Sequence, residues 1–252
     1  MSWLSGAAAL VNAILGNIPM MNKKYVHDPK LVEQLQQFQK QNADILAKYN
    51  ELIKRMEDQD IDSFEDLQRF DRKGAEVLIR LASQTAPLPM QGRNFGFFGL
   101  TSTGKSTIIN KLIGKNLAEV GAGETTQEIQ PYDGQGYRLY DIPGRNDDLS
   151  YFSMEYIAFW KALTARIIVI TSTIKEMTKV FRLLDAIQLR YDIIVNKFDL
   201  VNLEEREKVK VQIKQEIINC KLQGVNHIWF ISAENPRQFP DWINMIDYLT
   251  NK

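Results

Sequence analysis

Apolar and polar positions alternate with two different periods along the chain, and the change falls near residue 90. Before it, the spacing is helical. Leu4, Ala8, Val11, Leu15 and Ile18 form one apolar stripe, widened by Trp3, Ala7, Leu10 and Ile14. Asp28 and Pro29 read as a cap and first-turn proline. Leu31, Leu35, Phe38, Ile45, Leu46, Tyr49, Leu52, Ile53 and Met56 then predict an amphipathic helix to about Glu57. Ser63, Glu65 and Asp66 start another, carrying Phe64, Leu67, Phe70, Val77, Leu78 and Leu81 to about Ser83. Pro87 and Pro89 mark a boundary.

From residue 91, short apolar runs alternate with helical stretches. Strands are predicted at Phe95–Phe98, Gly136–Tyr140, Arg166–Thr171, Tyr191–Val195 and His227–Ile231. Helices are predicted at 107–114, 149–163, 177–189 and 203–222, and around Trp242, Ile243, Ile246 and Leu249. The continuous run Ile167–Ile170 suits a central parallel strand. Repeated strand–helix units imply a mostly parallel sheet covered on both faces, with ligands at the carboxyl ends of its strands. The expected organisation is an apolar segment (1–27), a helical region (28–90) and an α/β domain (91–252).

Composition narrows this little. The 252 residues are 44% apolar and 25% charged, and 31 basic side chains balance 31 acidic ones, so nucleic acid is not the expected partner. One cysteine excludes an intrachain disulfide and fits a reducing, cytoplasmic compartment. Two histidines and one cysteine leave no dense His/Cys metal site, so oxygen-ligated Mg²⁺ is the metal that fits. Residues 1–20 carry no charge, and two destinations stay open for them: a protein surface, or peripheral contact with a membrane, with Lys23 and Lys24 at headgroup level.

The polar signals all follow predicted strands. Gly99-Leu100-Thr101-Ser102-Thr103-Gly104-Lys105-Ser106 is G-x-x-x-x-G-K-S between a strand and a helix beginning near Thr107, the context of a phosphate-binding loop. Its backbone N–H groups and the helix N-terminus face phosphates, Lys105 reaches the terminal ones, and the Ser106 hydroxyl suits Mg²⁺. Asp141-Ile142-Pro143-Gly144 is D-x-x-G: Asp141 holds Mg²⁺ through water, and the Gly144 N–H senses a γ-phosphate. Thr125 and Thr126 lie in a loop where either hydroxyl completes the Mg²⁺ shell. Asn196-Lys197-Phe198-Asp199 is N-K-x-D. The Asp199 carboxylate accepts from both the ring N–H and the exocyclic amine of guanine, the Lys197 stem covers the purine, and Asn196 ties the loops together. In Ser232-Ala233-Glu234, the Ala233 N–H suits the guanine carbonyl. Adenine presents the wrong pattern and would leave buried groups unpaired.

In this order, the blocks resemble those of the translation-factor-like, Ras-related P-loop GTPases over about residues 91–252. The resemblance implies a Ras-like fold with a six-stranded sheet, GTP and GDP as substrate and product, and Mg²⁺ as cofactor. Gly123 to Tyr132, read as G-x-T-T-x-x-x-x-P-Y, followed by D-I-P-G, also resembles the immunity-related GTPases. Gly99 to Gly114 has some guanylate-binding and dynamin-like character, and Ser102 falls where dynamin-like proteins place a serine. This narrower likeness implies nucleotide-controlled homodimers through facing GTPase domains, and membrane association. Ras-like proteins carry a glutamine directly after D-x-x-G, but here that position is Arg145. Slow intrinsic turnover is therefore expected, with Arg145 either a stabilising arginine or a solvated loop residue, and Gln127 and Gln130 weaker candidates. A weakly hydrolysing module that recruits an effector is the alternative. A ribosome- or RNA-linked GTPase shares the threonine and N-K-x-D features, but neutral charge counts against it.

Overall fold

The computed structural model describes residues 38, 40–115, 118, 130–142 and 149–251. These residues form two compact units. One contains the chain up to Gln91 together with Asp147–Leu163; the other contains Gly92–Asn146 and Thr164–Lys252.

The first unit is helical. Helix α1 (Ala43–Asp58) buries Tyr49, Leu52, Ile53 and Met56, the three- and four-residue spacing seen in the sequence. The single helix expected over 63–83 is two, α2 (Phe64–Phe70) and α3 (Arg72–Gln84), with separate caps. The Ser63 hydroxyl accepts from the Asp66 N–H at 3.1 Å, and the Asp71 carboxylate from the Gly74 N–H at 2.9 Å. Asp71 breaks the run because its side chain competes with the helix for backbone donors. It also pairs with Arg55 at 2.8 Å.

The stretch expected as one helix over 149–163 is a 3₁₀ turn (Leu149–Phe152) and then α4 (Met154–Ala162), which starts at Ser153. Every residue from Met154 to Trp160 is buried. A helix with so little polar face has no side to turn to solvent, and this one belongs to the helical unit. Tyr151 meets Tyr156 edge-on with centroids 5.2 Å apart and Trp160 at 5.5 Å. The Ala158 carbonyl accepts from the Leu88 N–H at 3.0 Å. Lys161 Nζ donates to the Ala82 carbonyl at 2.7 Å and the Thr85 carbonyl at 2.6 Å, satisfying groups at the end of α3. Buried Tyr49 reaches Thr85 Oγ1 at 2.9 Å, and burial raises its phenol pKa.

The second unit carries a six-stranded sheet: β1 (Arg93–Phe98), β2 (Gln130–Asp133), β3 (Tyr137–Asp141), β4 (Ala165–Ile170), β5 (Tyr191–Val195) and β6 (Val225–Phe230). Their order is β2-β3-β1-β4-β5-β6. All neighbours are parallel except β2 and β3, which pair antiparallel with Tyr132 opposite Leu139. Strand β2 was not among the sequence-predicted strands. Its Pro131 is tolerated because β2 is an edge. In β4, Ile167 to Ile170 are at most 1% exposed, as a doubly covered strand requires.

Helices α5 (Lys105–Ile113), α6 (Thr178–Ala186), α7 (Arg206–Asn219) and α8 (Pro240–Thr250) complete the unit. Phe95, Phe97, Ile108, Ile109, Leu139, Ile167, Val169, Ile194, Trp242 and Met245 form one core cluster. The direction of chain progression reverses between β1 and β4, so the carboxyl ends of those two strands flank the crevice where an open α/β sheet binds ligands.

Candidate nucleotide-binding site

Each chemistry-bearing block leaves a carboxyl end of this sheet. The phosphate loop follows β1. At Gly99 (φ 153°), an added Cβ would lie 2.2 Å from the Val169 carbonyl oxygen of β4, so only glycine allows the strands and loop to close together here. Ser102 takes a left-handed conformation at φ 66°. Thr103 closes the turn, donating from its N–H to the Leu100 carbonyl at 3.3 Å and from Oγ1 to the same oxygen at 2.9 Å. Gly104 (φ 90°) is the N-cap of α5, and a Cβ there would meet Asn196 Nδ2 at 2.4 Å.

Lys105 opens α5 and folds back over the loop. Its Nζ donates to the Gly99 carbonyl at 2.7 Å and the Leu100 carbonyl at 3.1 Å, and the residue is 7% exposed. Burial lowers the pKa of this ammonium, and the charge of Asp141 acts against that. The Ser106 hydroxyl donates to Asp141 Oδ2 at 2.6 Å, which brings together the end of β3 and the first turn of α5. Asp141 is 1% exposed. Half-buried Thr107 follows in the same turn.

Three loops meet at Asn196, 2% exposed at the end of β5. Its Nδ2 donates to the Thr103 carbonyl at 2.8 Å, and its Oδ1 accepts from the Ala233 N–H at 3.0 Å. This is the tie between loops that the N-K-x-D block implies. It differs from the sequence expectation in one respect: the Ala233 N–H is engaged by Asn196 rather than presented to a base. Exposed Lys197 is left-handed at φ 59°. Asp199 Oδ2 accepts from Asn235 Nδ2 at 2.9 Å, and the Ser232 hydroxyl accepts from the Asn235 N–H at 3.0 Å. Burial acts to raise the Asp199 pKa, but hydrogen bonds from Ser232, Asn235 and its own backbone, with nearby Arg206, outweigh it and hold the carboxyl below its usual range. Glu234 is exposed.

A cleft of about 500 Å³ lies between residues 100–103 of the phosphate loop, Thr171 and Glu176 after β4, and Lys197, Leu200 and Val201. Sequence reasoning missed the wall that Thr171 and Glu176 give this cleft, and it missed Asn235, which donates to the Asp199 carboxylate. The only local signal was the Thr173…Glu176 spacing of a capping box. Thr125, Thr126, Gln127, Gly144 and Arg145 lie outside the described residues. The described residues contain no group of three or more His, Cys, Asp or Glu placed to hold a metal. The oxygens on hand are those of Ser106 and Asp141.

The family model described as "50S ribosome-binding GTPase" matches residues 94–222, just over half the chain. A probable GTP-binding protein EngB of Rhodopseudomonas palustris (strain BisA53) is 32% identical over 177 residues, covering 63% of this chain and 80% of that protein. GTPase Der of Thermodesulfovibrio yellowstonii is 27% identical over 183 residues, covering 63% of this chain and 40% of Der. Among solved structures, a bacterial selenocysteine-specific elongation factor, EF-Sec, aligns with a TM-score of 0.45 at 18% identity. The alignment covers 64% of this chain and 29% of that one. The chain spans less than two thirds of the length of several such relatives. The sequence relatives are of the EngB and Der type, and they do not carry the narrower resemblance to immunity-related GTPases. The phosphate loop, the Ser106–Asp141 pair and the Asn196 bridge all lie inside the matched segment or are anchored in it, and the chain belongs to the 50S ribosome-binding GTPase family.

Proposed function

We propose that the chain binds GTP at the β1–β4–β5 end of its sheet, hydrolyses it to GDP and phosphate, and uses the difference as a switch. The observation that carries this reading is the Asn196 bridge. It ties the phosphate loop to the 232–235 loop and sets Asp199 beside them, so one rigid frame spans a nucleotide from phosphate to base. Paired acceptance by Asp199 selects guanine.

Mg²⁺ fits the site. A buried carboxylate and a primary hydroxyl 2.6 Å apart are hard oxygen donors of the kind it takes, so Ser106 and Asp141 are the residues that would hold it. When bound, it neutralises phosphate charge. Lys105 exchanges its present carbonyl partners for phosphate oxygens and stabilises charge on the transferring group. Thr125, Thr126 and Gly144 are proposed as the parts that sense the γ-phosphate. The glutamine that Ras-like proteins carry after D-x-x-G is missing, so the intrinsic rate is slow, and Arg145 in its place stabilises charge when self-association or a partner accelerates the reaction.

Residues 1–20 are proposed to supply peripheral membrane contact. Among the described residues, no helix is long and apolar enough to cross a membrane. A second reading is favoured by the family match: membership of the 50S ribosome-binding GTPase family makes a ribosomal particle a class of partner to test.

Multiple-turnover phosphate release, measured against protein concentration for wild type and Arg145→Ala, tests the catalytic part. The proposal expects a specific rate that rises with concentration and falls in the variant. A flat curve with an unchanged variant contradicts self-activation, and absence of turnover leaves the effector-recruiting module in its place. Flotation with liposomes in GDP and in a non-hydrolysable GTP analogue, with and without residues 1–20, tests the membrane part; no flotation in either state removes it.

A further inference from the structure

The turn that leaves β4 is wrapped around one carboxylate. Glu176 Oε1 accepts from the Ser172 N–H at 2.9 Å, the Ser172 hydroxyl at 3.0 Å, and the Thr173 N–H and Thr171 hydroxyl at 3.2 Å each. Its Oε2 accepts from the Thr171 N–H at 3.2 Å. A capping box accounts only for the Thr173 contact. The others reach Ser172 and Thr171, the two residues that follow the strand. From the opposite side, Glu216 of α7 accepts from the Thr173 hydroxyl at 2.8 Å and the Ile174 N–H at 3.1 Å. Two carboxylates thus grip residues 171–174, through charge-assisted bonds stronger than neutral ones.

What they grip is the support of the phosphate loop. The Val169 carbonyl abuts Gly99, the Ile170 carbonyl accepts from the Asn196 N–H at 2.9 Å, and Thr171 and Glu176 face residues 100–103 across the cleft. We infer that Glu176 is a positioning residue for nucleotide binding. It holds the carboxyl end of β4 in the one arrangement that keeps the phosphate loop and Asn196 ready for phosphate, without itself touching nucleotide or metal. Preorganisation of this kind appears as slower release. The inference rests on the guanine-nucleotide reading above.

The test is stopped-flow release of a fluorescent GDP from wild type, Glu176→Ala and Glu176→Gln, with amide hydrogen exchange on the GDP-bound proteins. Glu176→Ala is expected to release about tenfold faster, equivalent to the loss of one strong interaction. Glu176→Gln falls between, because its amide oxygen still accepts from residues 172 and 173 and from the Thr171 hydroxyl, while its NH₂ cannot accept from the Thr171 N–H as Oε2 does. Exchange rises at 171–173 and also at 100–103, and the preference for GDP over ADP is unchanged, since Asp199 is untouched. Release within about twofold of wild type in both variants, or exchange that rises only at 173–177, reduces Glu176 to a helix cap and overturns the inference. If Glu176→Ala does not fold, the glutamine variant decides alone, and a wild-type release rate there is the overturning result. Failure of the wild type to bind GDP at all overturns the nucleotide reading, and is seen before any variant is made.

Discussion

Replacing Asn196 by alanine removes both halves of the bridge at once. The Thr103 carbonyl and the Ala233 N–H, in residues 3% and 2% exposed, lose their partner where little solvent reaches. Each stranded group costs about 1–3 kcal/mol, so the variant should lose about 2–6 kcal/mol of sheet-unit stability. Gly104→Ala attacks the same junction from the other side. It puts a side chain on a backbone at φ 90°, at a cost of about 1–2 kcal/mol, and drives its Cβ to 2.4 Å from Asn196 Nδ2. In the double variant the clash disappears because Nδ2 is gone, while the backbone strain stays. The two losses must therefore fall short of adding, by about 1 kcal/mol or more. Amide exchange of the β4 and β5 core, followed without nucleotide, reads the stability of this unit alone. Losses that add to within about 0.3 kcal/mol would refute the claim that Gly104 and Asn196 meet.

Other outcomes follow from the same geometry. Lys105→Met should cost about 1–3 kcal/mol of apo stability, because the Gly99 carbonyl loses its buried donor, and weaken GDP binding by about a hundredfold in calorimetry. Gly99→Ala should cost more than about 2 kcal/mol, because the Val169 carbonyl is backbone and cannot step aside; melting of the variant checks this. The Asp199 carboxyl is depressed in the folded state, so its contribution is complete above the unfolded value near pH 4 and is lost only as pH falls through the lower folded value. The preference for GDP over ADP should therefore be flat from about pH 8 to 5, the phosphate titration near pH 6 being common to both ligands, and a preference that declines from near pH 6 would contradict the Ser232 and Asn235 contacts.

Local chemistry made much of the site legible before any coordinates. Gly99 to Ser106 and Asn196 to Asp199 are contiguous blocks whose backbone needs dictate their residues, and Ile167–Ile170 announces its burial by having no polar face. Nonlocal partners were not legible. The short run Gln130-Pro131-Tyr132-Asp133 reads as a loop until β3 is there to pair with it. Asp71 looks like one polar residue in a helical run, and only its grip on the Gly74 N–H and on Arg55 shows the break. The 149–163 stretch reads as one apolar helix, although its first turn is 3₁₀, and periodicity cannot say which residues meet it; Ala82 and Leu88 of the helical unit do. Asn235 sits 36 residues from Asp199, and Glu216 sits 43 from Thr173, so neither pairing leaves a pattern in the chain.

The central claim is that one frame holds a guanine nucleotide between Lys105 and Asp199. Calorimetric titration of wild type and Asp199→Asn with GDP, ADP and xanthosine diphosphate tests it directly. The account predicts that wild type prefers GDP over ADP by roughly 10⁴-fold, and that the variant loses GDP affinity while gaining xanthosine diphosphate. Comparable affinity for GDP and ADP, or an asparagine variant that binds GDP as tightly as wild type, would contradict it.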